Sequence, residues 1–321
     1  MEKMKCASFF AGVGGIDLGF EDTGHFEVVY ANEFDPYPVK TYELNSNLKV
    51  DCRDIHEVKS SEIPDFDVLL AGFPCQAFSV AGLRKGFDDE KGRGTLFFEL
   101  LRIMEDKQPK IVFLENVKNL ASHDEGKTLK VIIEKLEEQG YFVKKQILNA
   151  MEVGNIPQNR ERVYIVGFKS KEKCDACEFP GKIKLTRELS DVIDFKSKED
   201  DKYYYEPGKY KGDIYEKLVS AMDDDGAVYQ WRRKYVRKNK SGVVPTLTAN
   251  QGEGGHNVCI VKTKHGIRKM TPRECFSAQG FPKSFKLPED MCNGRLYKQA
   301  GNSVCVPVVN RIASSIASTV A

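Results

Sequence analysis

Nowhere in these 321 residues does an apolar run approach eighteen residues, and the opening MEKMKCASFFAGVGG lacks the long apolar core and small-residue cleavage site of an export signal. Neither a membrane span nor secretion is expected, and the chain is expected to act in the cytoplasm. Net charge is scarce, only +2, so no field over the whole molecule announces a polyanionic partner. The nine cysteines, odd in number and without framework spacing, suit a reducing compartment rather than a disulfide scaffold. Cys174 and Cys177 in CDAC have no second Cys or His pair nearby, so no metal site is expected. A G-K-[ST] phosphate loop is missing, and Asp17 stands where a dinucleotide fingerprint needs its third glycine. Both absences count against a P-loop enzyme and a dinucleotide-dependent oxidoreductase.

What is present can bury a large core: 41% of residues are hydrophobic, 10% aromatic and 30% charged. KCASFF, EVVYAN, FDVLLAGF, KIVFLEN, YFVKKQILNA and RVYIVGF are short β-rich apolar runs. Between them GGIDLGFEDTG, PYPVKTYELN, TLFFELLRIMEDK and GKTLKVIIEKLEEQG have helical spacing. The alternation predicts an α/β fold with a doubly wound, mostly parallel sheet, which binds ligands at the carboxyl ends of its strands. From about residue 176 the pattern dissolves into polar, Gly- and Lys-rich sequence and recovers near TPRECFSAQGFP. The expected organisation is a large domain over 1–175, a small one over 176–271, and a segment 272–321 that returns to the large domain through a last helix, VPVVNRIASSIASTV.

The first strand runs into FFAGVGGIDLGF, where Gly12, Gly14 and Gly15 form a turn that opens a helix. This spacing suits a ligand with an adenosine but no pyrophosphate. Glu33, at the end of the second strand, can accept both ribose hydroxyls, and Asp54 in CRDIHEV, expected after a third strand, can take the adenine amino group. Each acid alone reads equally well as a loop carboxylate. Cys75 in GFPCQAFS lies just past a buried strand, after Gly-Phe-Pro has broken the ladder, a placement suited to chemistry rather than packing. The run WRRKYVRKNK, residues 231–240, holds six Lys or Arg around Trp231 and Tyr235, just after MDDD. Such a run is either a solvated face or a surface that neutralises phosphates and stacks on bases.

FAGVGG, GFPCQAFS, RGTLFFEL, ENV, QNRERVYIVGF, RECFSAQGFP and QAGNSVCVPVV, in this order and spacing, resemble the motif series of the DNA (cytosine-5) methyltransferases of bacterial restriction-modification type. The resemblance covers residues 4–175 and 270–315, and PTLTANQGEGG resembles the Thr-Leu core of a target recognition domain. Arg53 stands where the family often has Gly.

The resemblance implies a Rossmann-like methyltransferase fold with a mixed sheet, and S-adenosylmethionine as cofactor, leaving S-adenosylhomocysteine. Cys75 would add to C6 of cytosine, Glu115 would hold or protonate N3, Arg162 would contact O2, and Arg160 would stand near the nucleophile loop and help keep the thiol ionised. Gln158, Arg160 and Arg162 are expected on one face of a single strand. Phe10, Gly12, Gly14, Gly15, Glu33, Asp54, Ile55, Pro74, Leu96, Asn302 and Ser303 would line the cofactor site. Gln76, Ser79, Arg84, Lys85, Gln158, Arg232, Arg233, Arg237, Thr246, Asn250, Gly254 and Gly255 would meet double-stranded DNA, with residues 76–94 as a lid over a flipped cytosine. The recognition segment looks most like those for short GC-rich palindromes such as G-C-N-G-C. A monomer is expected, with any cognate endonuclease acting separately. The rival within the enzyme class is a tRNA cytosine-5 methyltransferase of the same fold; outside it stands a catalytically silent nucleic-acid-binding module, which intact Cys75, Glu115 and Arg162 disfavour.

Overall fold

The computed structural model describes residues 2–74, 96–210, 212–232, 234–251 and 258–320. Its contacts divide the chain into two units: Met1–Leu148, Glu161–Gly181 and Val308–Ala321 in the first, Asn149–Arg160 and Lys182–Pro307 in the second.

Six strands build one sheet in the first unit: β1 (Met4–Phe9), β2 (Phe26–Asn32), β3 (Val68–Ala71), β4 (Ile111–Val117), β5 (Phe142–Asn149) and β7 (Glu161–Phe168), in the order β2-β1-β3-β4-β7-β5. β1 is parallel to β2 and β3, β3 is parallel to β4, and β7 runs antiparallel to β4. The short β3, VLLA, is buried at every position, as a parallel strand covered on both faces must be. Helices α1 (Gly15–Glu21), α2 (Pro36–Asn45), α3 (Leu96–Lys107) and α4 (Lys127–Glu138) follow their strands as the periodicity predicts. α4 buries Leu129, Ile132 and Leu136, one stripe at helical spacing, in a core shared with Leu100, Met104, Val112 and Leu114. This is the expected doubly wound mixed sheet. One element differs: the segment before Asp54 forms no strand, only a single parallel bridge from Asp51 to Asn32.

By length and composition the run Asn293–Val320 is apolar enough to cross a membrane. It divides into two helices, Asn293–Asn302 and Val306–Val320. The second buries Val309, Ile312 and Ile316, and Val309 covers Gly19 of α1 so closely that a Cβ there would stand 2.7 Å from its Cγ1.

In the second unit β8 (Val228–Arg232), β9 (Tyr235–Lys238), β11 (Val258–Thr263) and β12 (Gly266–Lys269) form an antiparallel sheet in the order β12-β11-β8-β9. Tyr229, Ile260 and Ile267 pack with Leu218 of the preceding helix, Ile214–Ala221, and with Met222 just past its end. A separate ladder joins β6 (Gln158–Asn159) to β10 (Val244–Pro245). Residues 272–307 group with this unit, whereas the sequence assigns them to the large domain. One contact that ties them there is a buried ion pair: Arg268 of β12, fully buried, donates to both Glu274 oxygens at 2.8 and 2.7 Å and to the Asp194 carbonyl at 2.6 Å. Glu274 also closes a capping box with Thr271, so helix Pro272–Ala278 is tied to the sheet.

Gly19→Ala is expected to destabilise the fold by about 1–3 kcal/mol through overpacking, with partial recovery when Val309→Ala is added. Urea unfolding of the single and double variants checks this, and an unchanged midpoint for Gly19→Ala contradicts it.

Candidate active site

Just past β1 the backbone takes left-handed conformations at Phe10 (φ 54°), Gly12 (φ 56°) and Gly14 (φ 82°). A non-glycine residue there is strained by about 1–3 kcal/mol, so the surroundings must impose the turn at Phe10. They do so through Ala11 N–H to the Asn32 carbonyl at 3.0 Å and Gly14 N–H to the Ala11 carbonyl at 2.9 Å. A Cβ on Gly12 would meet nothing within 4 Å, whereas one on Gly14 would strike the Tyr42 ring at 2.8 Å. Gly12 is thus needed for its dihedral and Gly14 for room as well. Gly15, the first residue of α1, is buried.

Glu33 follows β2 and is 8% exposed. Its Oε2 accepts from Gly12 N–H at 3.0 Å and its Oε1 from Asp35 N–H at 2.9 Å, so the acid is fixed to the glycine turn. A carboxylate oxygen accepts more than one hydrogen bond, and this anchoring leaves Glu33 chemically able to take hydroxyls. Asp54 caps a short helix, accepting from His56 N–H at 3.0 Å and lying 2.6 Å from its Nδ1. Burial alone would raise its pKa, but the bonds from His56 outweigh that and hold the carboxyl below its ordinary value. Arg53 pairs with Asp51 and Glu62, at 2.7 and 2.8 Å, so it braces the turn in place of glycine. Ile55, 2% exposed, and half-buried Leu96 belong to the hydrophobic core around α3. Phe34, next to Glu33 and not among the expected site residues, is 67% exposed, more than any other large hydrophobic side chain among the described residues.

At the end of β4, Glu115 meets Arg162 of β7, Oε1 to Nε at 3.1 Å, with side chains only 10% and 12% exposed. The register supplies the pair, because Val117 faces Arg162 and Glu115 faces Tyr164 across the antiparallel ladder. Arg162 also donates to the Glu161 carbonyl at 2.8 Å. Asn116 Nδ2 donates to the Phe73 carbonyl at 2.8 Å, and a Cβ on Gly72 would stand 3.8 Å from Glu115 Oε2. The GFP segment, ending in exposed Pro74, therefore enters beside the carboxylate. Asn116, which fixes that entry, was not among the expected site residues; its place in LENV, next to Glu115, was the available signal.

The QNRER segment is not one continuous strand: β6 ends at Asn159 and β7 begins at Glu161. Arg160, 2% exposed, donates to the carbonyls of Leu247 (3.0 Å), Gly301 (3.2 Å) and Ser303. Its guanidinium thus joins the Thr-Leu element to AGNS, and Gly301 allows the approach: a Cβ there would lie 2.2 Å from the Thr248 backbone. Gln158, expected to contact DNA, is fully buried instead. Its amide donates to the Ala278 carbonyl and to Gln279, and accepts from Leu247 N–H, so its polar atoms serve the interior. Thr246 donates to the Asn159 carbonyl at 2.7 Å. Asn302 is exposed at the end of its helix, Ser303 is buried as the cap, and Asn250 is exposed and accepts from Thr248 at 2.9 Å. Arg232 is half-buried, while exposed Arg237 donates to Gln230 at 2.5 Å.

Cys75, Gln76, Ser79, Arg84, Lys85, Arg233, Gly254 and Gly255 lie outside the described residues. Among the described residues no cluster of His, Cys, Asp or Glu could hold a metal, and Cys174 and Cys177 are buried thiols whose pKa burial raises.

The protein is 58% identical over 313 residues to the type II methyltransferase M.Bsp6I of Bacillus sp. (strain RFL6), covering 98% of each chain. It is 38% identical over 326 residues to M.HhaI of Haemophilus parahaemolyticus, covering 98% of this chain and 95% of the relative. In fold it is similar to the Entamoeba histolytica methyltransferase EhMeth, with a TM-score of 0.75 at 18% identity over 100% of both chains, and to S. pombe Dnmt2, with a TM-score of 0.74 at 19% identity over 97% and 98%. The profile of the C-5 cytosine-specific DNA methylases matches residues 4–318, and this chain belongs to that family of DNA methyltransferases, among those of type II restriction-modification systems.

Proposed function

We propose that the protein methylates C5 of a cytosine flipped out of a short specific duplex sequence, through a covalent Cys75–C6 adduct, and so protects host DNA in the cytoplasm. The observation that carries this reading is the dry Glu115–Arg162 pair beside the GFP segment that leads to Cys75. Cytosine C5 is a weak nucleophile until C6 is attacked, and at neutral pH a thiolate both adds and leaves readily. The Cys75 sulfur forms a bond to C6 while Glu115 holds or protonates N3, taking the charge that develops. Arg162 orients Glu115 and presents its remaining donors to O2. After methylation a base, water in this reading, removes the C5 proton and the Cys75–C6 bond breaks to restore the thiol.

S-adenosylmethionine, when bound, supplies the methyl group on its sulfonium. The chain's residues fit it: Glu33 is anchored to the glycine turn with capacity for ribose hydroxyls, Gly12 faces open space, and Phe34 offers a ring for the adenine. Asp54, Ile55, Pro74, Leu96, Asn302 and Ser303 complete the proposed cofactor set. Residues 176–271 choose the sequence in this reading, with Arg232 and Arg237 on a sheet whose other face packs the core. A target such as G-C-N-G-C is read out by bisulfite sequencing of DNA treated with the purified protein.

Cys75→Ser is expected to abolish methyl transfer while cofactor affinity by calorimetry stays within about twofold; turnover within tenfold of wild type contradicts the covalent mechanism. Glu33→Ala is expected to weaken S-adenosylmethionine binding by about 10- to 100-fold with DNA affinity unchanged. Equal cofactor affinity in the variant removes Glu33 from the site. Exchanging residues 176–271 for those of a relative with another target is expected to move methylation to the donor's sequence. An active chimera still modifying the original site contradicts that assignment.

A further inference from the structure

Beneath the glycine turn lies a carboxylate that this chemistry does not use. Asp17, in the first turn of α1, is 2% exposed. Its Oδ1 accepts from the Ser8 hydroxyl of β1 at 2.5 Å and its Oδ2 from the Tyr42 hydroxyl of α2 at 2.7 Å. Tyr42 is the same ring that packs on Gly14 of the turn. Among the described residues no lysine or arginine pairs with Asp17; the charged and titratable groups that act on it or feel it are Tyr42, Glu21 of its own helix and Cys6 of β1, none of them a cation. Burying an anion without a counter-charge is costly, and an amide of the same shape would accept from one of these hydroxyls and donate to the other without that cost. A negative charge in this position calls for a positive partner from outside the chain.

The reaction supplies one that changes during turnover: the sulfonium donor is cationic at sulfur, and the thioether left after methyl transfer is not. We propose that Asp17 is a specificity-determining residue, a fixed anion under the glycine turn that favours the sulfonium cofactor over its neutral product. The proposal rests on S-adenosylmethionine being the cofactor. The adenosine and amino-acid parts are common to both ligands, so contacts from Glu33 and Asp54 cancel in the ratio of affinities and the charge at sulfur does not.

Burial raises the Asp17 pKa to about 6, with the Ser8 and Tyr42 bonds limiting the rise and Glu21 adding to it. Asp17 is therefore charged at pH 7 and neutral at pH 5, and the preference is expected at the first and lost at the second. Stability runs the other way. A carboxyl whose folded pKa is raised contributes stability fully below its unfolded value, and that contribution is lost as pH rises through about 6. Asp17→Asn is thus expected to melt no lower than wild type at pH 7.5.

Calorimetric titration with S-adenosylmethionine and, separately, S-adenosylhomocysteine tests the proposal without turnover. Asp17→Asn is expected to weaken the sulfonium ligand by about three- to tenfold and to leave the thioether within about twofold, so that their ratio falls. In wild type the ratio is expected to fall likewise between pH 7 and pH 5. Tyr42→Phe, which removes one hydrogen bond to the charged form, is expected to shift the midpoint of that fall upward. Equal weakening of both ligands in Asp17→Asn makes Asp17 structural and overturns the proposal. Should that variant not fold, a ratio in wild type that stays flat with pH overturns it alone. Failure of wild type to bind either ligand overturns the cofactor reading itself, an outcome distinct from the other two.

Discussion

The ion pair between Glu115 and Arg162 is the contact on which the proposed site depends, and the sheet dictates it. β7 is antiparallel to β4, so its first residues lie at the carboxyl end of β4, where the parallel strands also open. A parallel β7 would bring its far end there instead, and Arg162 would be lost from the site. Both side chains are nearly dry, so removing either leaves an uncompensated charge, at about 3–5 kcal/mol. The pair is therefore a poor device for stability and a good one for orientation. Asn116, one residue along, holds the Phe73 carbonyl, and the same strand end thereby fixes both the acid and the Gly-Phe-Pro segment that precedes Cys75 in the sequence.

The proposed cofactor side is organised in the same manner, by groups at strand ends that hold one another. Glu33 grips Gly12, Tyr42 fills the space beside Gly14, and Ser8 and Tyr42 grip Asp17. Three elements, β1, α1 and α2, with Glu33 just after β2, thus meet at one turn whose strain at Phe10 they jointly impose. In the second unit Arg160 plays the corresponding part, gathering three carbonyls from segments far apart in the chain.

In the large sheet β3 and β4 were legible because burial on both faces leaves unbroken apolar runs, and α3 and α4 because each carries one apolar stripe; β5, FVKKQILN, is largely exposed and α2 buries only Thr41 and Tyr42, so these were read from their place in the strand-helix alternation. The second sheet was not legible. Its strands alternate core residues such as Tyr229 and Ile260 with Gln230, Arg237 and Arg268, a period of two that reads locally as polar sequence. Of the proposed site, Glu33, Glu115 and Arg162 were candidates from motif and strand position. Arg160 and Gln158 could be named, but not their partners, which lie 87 to 143 residues away and follow from tertiary packing alone. Asp17 was visible only as a failed glycine fingerprint; its meaning needed Ser8 and Tyr42 beside it.

The central claim is that the Glu115–Arg162 pair serves the attack of Cys75 on a cytosine ring. A duplex carrying 5-fluorocytosine in the target sequence tests it directly, since fluorine cannot leave as a proton does and the adduct stays trapped. In the presence of cofactor the wild-type chain is expected to form a denaturation-resistant complex with this DNA, and Glu115→Gln to form it at least about 100-fold more slowly. A complex that accumulates in Glu115→Gln at the wild-type rate, or none in wild type on DNA that it methylates, would contradict the account.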